Sequence, residues 1–232
     1  MSDTGTSAGT KAGGEAAAGE DAPARRLTQA ERRDRSEREL LGAAVRVVAG
    51  QGVSAATFDA IGREAGFSRG LVTQRFGSKE GLIRALITHL HEWQGEALDE
   101  AKVSDMDGLT ALCAFVHLHC ESLRGAEEAD TYFMLLAAAV ADRLETRGAF
   151  RDSHEIERAL IRNFIERGQQ SGHVRGDVNA DAEALLTGCS LLGMRMQALV
   201  DPEFDAGPVR DGLIASLKAR LAARPLEEGQ TT

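Results

Sequence analysis

The sequence predicts an all-α protein with a small N-terminal three-helix domain and a larger helical domain behind it. Three observations carry this. Apolar residues recur at spacings of three and four almost throughout, the periodicity of an amphipathic helix. No sustained period-two alternation occurs. Only four prolines interrupt 232 residues, and 43% of the chain is hydrophobic, enough to fill a core.

Residues 1–24 are Gly, Ala, Ser and Thr with scattered charge, too poor in apolar side chains to offset the entropy of ordering, and they read as disordered. The tail turns basic from Arg25, with Arg26, Arg32, Arg33, Arg35 and Arg38 following. A first helix is predicted over about 36–51, where Leu41, Ala44, Val45 and Val48 form one stripe and Gly52 supplies a left-handed cap. A second begins after Thr57, a capping residue, with Asp59 suited to its positive end and Phe58, Ile61 and Ala65 facing inward. Gly66 ends it. Ser68 caps a third helix, which buries Val72 and Phe76, and Gly77 and Ser78 then open a fourth. Two helices of about nine residues joined by a Gly66-Phe67-Ser68 turn have the spacing of a helix-turn-helix. The rest reads as helices over 78–101, 107–124, 128–145, 149–171, 179–200 and 206–223.

The formal charge of −9 is unevenly distributed. Residues 1–24 hold one base and four acids, residues 25–79 eleven bases and six acids, and residues 80–232 fifteen bases and twenty-six acids. A basic segment before an acidic body is the asymmetry of a chain whose N-terminal part alone meets phosphate. The third helix fits that use. With Val72 and Phe76 in the core, Arg69, Thr73, Gln74 and Arg75 must project elsewhere. Arginine pairs with a guanine edge, and glutamine with an adenine edge, through two parallel hydrogen bonds. Gly70 lets backbone approach DNA closely, and the helix N-terminus can receive a phosphate.

The stretch TFDAIGREAGFSRGLVTQRFGSKEGLIRAL, together with ELLGAAVRVVAGQG before it, resembles the tetracycline-repressor (TetR) family of bacterial regulators over about sixty residues. The run from AGFSRG to FGSKEGL is its most specific part, and SGHVRGDVNADAEALLTGCSLLGMRMQALVDP is similar to the family further on. The resemblance implies that Thr57 touches a phosphate and that Ser68, Arg69, Gly70, Leu71, Thr73, Gln74 and Arg75 lie in the major groove. It further implies that Lys79 anchors a second phosphate and that the basic arm follows the backbone or minor groove. The sequence departs from the family where Thr73 replaces the usual tyrosine and Arg75 an aromatic or histidine. Arg75 is expected to read a base.

The resemblance implies a larger domain that dimerises and holds a small effector, giving a homodimeric repressor of operator DNA released by its ligand. Phe133, Leu135, Leu136, Val140 and Leu144 predict a helix buried on most sides, and Leu185, Leu186, Leu191, Leu192, Met196, Leu199 and Val200 another broad stripe. Gly188 and Gly193 on that stripe, with Leu213, Leu217 and Leu221 on the last helix, are assigned to the dimer interface. His89, Trp93, Phe115, His117, Tyr132, Met134, Phe164 and Met194 are nominated for the effector pocket, and the few charges among them suggest an apolar ligand.

Cys113, His117 and Cys120 fall near one helix face, but no fourth ligand is evident and no metal or cofactor is expected. The sequence lacks GxSxG, a glycine-rich phosphate loop and HExxH, so no enzyme is expected either. No secretory core and no membrane-length apolar run precede or interrupt the helices, which suggests a cytoplasmic protein. The predicted division is a disordered tail at 1–33, a DNA-binding domain at 34–96, an effector and dimerisation domain at 97–224, and a flexible end at 225–232. The alternatives are a helical dimeric interaction module, an activator that uses no small-molecule inducer, and a cofactor-free enzyme using His117 with Cys113 or Cys120.

Overall fold

The computed structural model describes residues 28–123, 125–142 and 145–223. Among them are nine α-helices and no strand. The helices are α1 (Gln29–Gln51), α2 (Phe58–Ala65), α3 (Arg69–Phe76), α4 (Lys79–Glu100), α5 (Gly108–Glu121), α6 (Glu127–Ala141), α7 (Arg147–Gln170), α8 (Ala180–Val200) and α9 (Gly207–Leu221). The disordered reading of 1–24, the basic arm at Arg25 and Arg26, Leu144 and the 225–232 end lie outside the described residues.

The first helix is longer than the apolar stripe alone suggests. Its start is fixed by a capping box. The Thr28 hydroxyl accepts from the Glu31 amide at 3.2 Å, and the Glu31 carboxylate accepts from the Thr28 amide at 2.7 Å. Residues 29–33, expected in the tail, are therefore helical, and Arg32, Arg33, Arg35 and Arg38 ride on α1. The predicted caps of the next three helices are present. Thr57, Ser68 and Ser78 accept from the amides of Ala60, Leu71 and Gly81. Gly66 ends α2 in the left-handed conformation at φ 74°; Gly52 has φ 85° with extended ψ, so it turns the chain without the left-handed cap expected of it.

Two cores form. The first gathers Leu40, Leu41, Ala44, Val45 and Val48 of α1, Ile61 of α2, Val72 and Phe76 of α3, and Leu82, Ile83 and Leu86 of α4. Leu135 of α6 and Phe150 of α7 belong to the same cluster. The buried Thr131 hydroxyl donates to the Val45 carbonyl at 3.3 Å, so α6 also holds α1 by a polar contact. The second core joins Leu112, Phe115 and Val116 of α5, Ile161, Phe164 and Ile165 of α7, Leu191 of α8, and Leu217 and Leu221 of α9.

The start of α5 crosses α7 backbone against backbone. A Cβ on Gly108 would fall 2.0 Å from the Phe164 carbonyl oxygen and 2.3 Å from the Gly168 nitrogen, so only glycine fits at that crossing.

Two expectations for the larger domain need correction. Val140 is 60% exposed, so the last turn of α6 is uncovered there, although Phe133 and Leu135, about 200° apart round the helix, are both buried. Leu217 and Leu221 are fully buried within the chain and cannot face a partner; an i, i+4 apolar stripe says that residues are covered but not by what. The large apolar residues left uncovered on the last two helices are instead Leu185, Leu186 and Val200 on α8 and Val209 on α9, with Val140 and Ile156 exposed on α6 and α7.

Candidate functional site

Helices α2 and α3 meet across a tight turn because Gly62 leaves room for the Phe67 carbonyl, 2.9 Å from where its Cβ would stand. Val72 and Phe76 pin the inner side of α3 to the core. This leaves Ser68, Arg69, Gly70, Thr73 and Gln74 exposed, with Leu71 half-buried against the core. Arg69 reaches Asp59 at 3.4 Å, but both side chains are about two-thirds exposed and the pair holds the guanidinium weakly. Thr57 and Lys79 are exposed at the starts of α2 and α4.

Arg75 differs from its expected place. It is half-buried, its Nη2 donates to the Ser36 hydroxyl at 3.0 Å, and its buried Nε has no partner. It ties α3 to α1 while still lining the open groove beside Gln74. Beside it, Gln29, Arg32, Arg33 and Gln74 line an open groove between the start of α1 and α3. The helical extension of α1 thus carries Arg32 and Arg33 to the side of Gln74, where a phosphate backbone would meet basic groups. With its guanidinium committed to Ser36, Arg75→Ala is expected to leave the sequence preference of bound DNA unchanged. Binding-site selection with the variant checks this; loss of preference at one base position per half-site would restore a base-reading role.

A second candidate site is a cavity of about 340 Å³ enclosed by α4, α5, α6, α7 and α8. Of the nominated residues, Trp93, Phe115 and Tyr132 line it. His89, His117, Met134, Phe164 and Met194 do not. His117 is exposed beside Glu121, Phe164 and Met194 are packed in the second core, and Met134 packs against the first. The polar lining was missed: His91, Gln94, His119, Glu157 and Arg195. One signal was available. His119 is four residues after Phe115 and shares its face, whereas His117 lies about 200° round the helix from His119.

The polar groups are unusually constrained. His91 Nε2 and the Tyr132 hydroxyl each lie 2.6 Å from the Ser153 hydroxyl, linking α4, α6 and α7. Burial lowers the pKa of His91, with His154 adding to it, and burial lowers that of His154. Burial, then the Arg195 charge, brings His119 down to about 4, and its Nε2 has no partner. Burial pushes the Glu157 carboxyl up to about 7 and Tyr132 up to about 12. Arg195 is wholly buried, yet it donates to Asp130 at 2.9 Å and to Ser122 at 2.6 Å, with its guanidinium 5.7 Å from the Phe133 ring centroid.

Cys113, His117 and Cys120 do not converge. Cys120 is buried against Met194, Cys113 is half-buried and His117 faces solvent. Among the described residues no group of three or more His, Cys, Asp or Glu side chains is placed to hold a metal, and no helix is long and apolar enough to cross a membrane.

Comparison with known proteins follows the geometry. Residues 40–86 match the profile of the family described as "Bacterial regulatory proteins, tetR family". A search of curated proteins returned no match. Among solved structures, a TetR transcription regulator from Haloarcula marismortui is similar at TM-score 0.70 and 18% identity, covering 81% of this chain and 99% of that one. A Saccharomonospora viridis protein assigned as a transcriptional regulator and solved in complex with choline is similar at TM-score 0.69 and 19% identity, covering 82% and 100%. The regulator FadR from Bacillus subtilis, in complex with stearoyl-CoA, is similar at TM-score 0.66 and 17% identity, covering 78% and 97%. These likenesses extend over both parts of the chain and concern its fold.

Proposed function

Since residues 40–86 match the profile of the tetR family of bacterial regulatory proteins, we propose that this chain acts as a homodimeric repressor that binds operator DNA through residues 34–96 and is released by a small molecule held between the second half of α4 and the helices that follow it. One observation carries the DNA-binding part: α3 buries Val72 and Phe76 and presents Arg69, Thr73 and Gln74 outward, flanked by Thr57 and Lys79 at two helix starts. Two such helices enter successive major grooves when they stand roughly 34–36 Å apart in a dimer. The uncovered apolar residues Leu185, Leu186 and Val200, with Gly188 and Gly193 between them and half-buried Leu213 on α9, are the surface proposed to pair.

Coupling runs through α4. Lys79 begins that helix, and His91 lies about 18 Å further along it, in the cavity wall. A ligand that favours one setting of α4 over another shifts the population of DNA-binding geometries by its differential affinity for them. In the neighbours named above, choline and stearoyl-CoA occupy complexes of those proteins; a bound small molecule is the corresponding proposal here.

The test is a gel shift on DNA selected from a random pool, comparing the wild type with Arg69→Ala and Lys79→Ala. Each variant is expected to lose about tenfold or more in affinity, Lys79→Ala by a similar factor on every sequence and with a salt slope smaller by about one unit. Unchanged affinity in both variants overturns the assignment.

A further inference from the structure

We propose that the cavity is built for an organic cation, an ammonium-type charge carried on an apolar or aromatic body. The proposal rests on the reading of this cavity as the effector site and narrows it to a chemical class.

The cavity combines ring faces with carboxyl groups. Trp93, Phe115, Tyr132 and Phe133 line it; Arg195 already occupies the Phe133 face, and aromatic faces such as those of Trp93 and Tyr132 attract cations through their quadrupoles. Its carboxyl lining is Glu121, Glu128 and Glu157, of which Glu121 is paired with Arg210 at 3.1 Å, and its guanidinium is Arg195. The Arg195 charge is met by Asp130 at 2.9 Å, leaving that guanidinium little to offer an anion beyond its unpartnered Nε. Glu157 has no ion pair among the described residues, and burial alone lifts its carboxyl to about 7, so a cation beside it would favour its charged form.

The histidines do not supply that charge. His91, His119 and His154 are all shifted toward the neutral form by burial. His119 Nε2 lines the cavity buried and unpartnered, and as a neutral ring nitrogen it accepts a hydrogen bond if its proton sits on Nδ1. Acceptors and ring faces thus converge on a space whose lining guanidinium, Arg195, is already paired with Asp130. An apolar ligand would leave Glu157 and His119 buried without partners, and burial of unmatched polar groups is what discriminates against such a ligand.

The experiment is calorimetric titration of the full chain with three probes: benzyltrimethylammonium, its uncharged isostere neopentylbenzene, and the anion 3-phenylpropanoate. The ammonium is expected to bind at least about tenfold tighter than either of the others. Glu157→Gln is expected to remove most of that preference without weakening neopentylbenzene, and Trp93→Leu to weaken the ammonium selectively. Circular dichroism establishes that each variant is folded. Equal or tighter binding of the neutral or anionic probe, no binding of any probe, or an unchanged preference in folded Glu157→Gln overturns the proposal. DNA binding is measured on the same preparation. Operator binding without cation preference defeats only this inference, whereas cation preference without DNA binding defeats the repressor reading and leaves the cavity's chemistry standing.

Discussion

A chain carrying Leu217→Glu is expected to lose its cooperative thermal transition instead of becoming a folded monomer. Leu217 is fully buried between α9 and the α5–α7 core, where Leu112, Ile161 and Leu221 belong to the same cluster. Removing a buried leucine side chain costs about 2–5 kcal/mol, and a carboxylate placed there without a partner adds a further desolvation cost of several kcal/mol. The sum is comparable with the whole stability of a domain, about 5–15 kcal/mol. Leu185→Glu is the informative contrast. Leu185 is 55% exposed, so the charge remains solvated, the fold survives and only self-association weakens. Circular dichroism melts with light scattering separate the two. A Leu217→Glu protein that melts like the wild type but scatters as a monomer would return Leu217 to the dimer interface.

Asp130→Ala is the second large effect, expected to cost about 3 kcal/mol in urea unfolding, at the lower end of the range for breaking a buried pair because Asp130 is itself one-third exposed. The cause is the partner left behind: Arg195, wholly buried, would keep Ser122 and the Phe133 face but no counter-charge. Arg195→Met removes the charge together with its desolvation and is expected to cost less. The double variant should sit near Arg195→Met alone, since Asp130 can then turn to water. The outermost ion pairs give the contrast: Arg35 with Glu39 is largely exposed on α1, where water screens the pair. An Asp130→Ala cost below about 1 kcal/mol would mean that water reaches the guanidinium.

Local chemistry explains which parts of this molecule could be read from its sequence. The α2–α3 unit is delimited by Thr57, Gly66, Ser68, Gly77 and Ser78, each acting on backbone groups within four residues, so its bounds follow from side-chain type alone. The start of α1 was also local, in Thr28 and Glu31, but the polar stretch around them masks it from a search for apolar stripes. The cavity is a different matter. Glu157, His119 and Arg195 come together from three helices, and Arg195 pairs with Asp130 across 65 positions. Periodicity reports which side of a helix is covered and is silent on the neighbour. For the same reason Leu217 and Leu221 read equally well as intrachain core or as interface, and Arg75, one position before Phe76, gave no sign of Ser36 39 positions earlier.

The crossing of α5 and α7 at Gly108 and Gly168 has a mechanical consequence. With main chain against main chain there is no rotamer at that point to change, so the two helices can neither spread nor slide there by repacking. His119 and Glu157 stand eleven residues from the crossing on their respective helices, roughly 16 Å along each. A rotation of about 10° about the crossing would displace either helix by roughly 3 Å at the cavity, and because Leu112, Phe115, Ile161 and Phe164 pack the two helices together between the crossing and the cavity, any such opening has to repack that core.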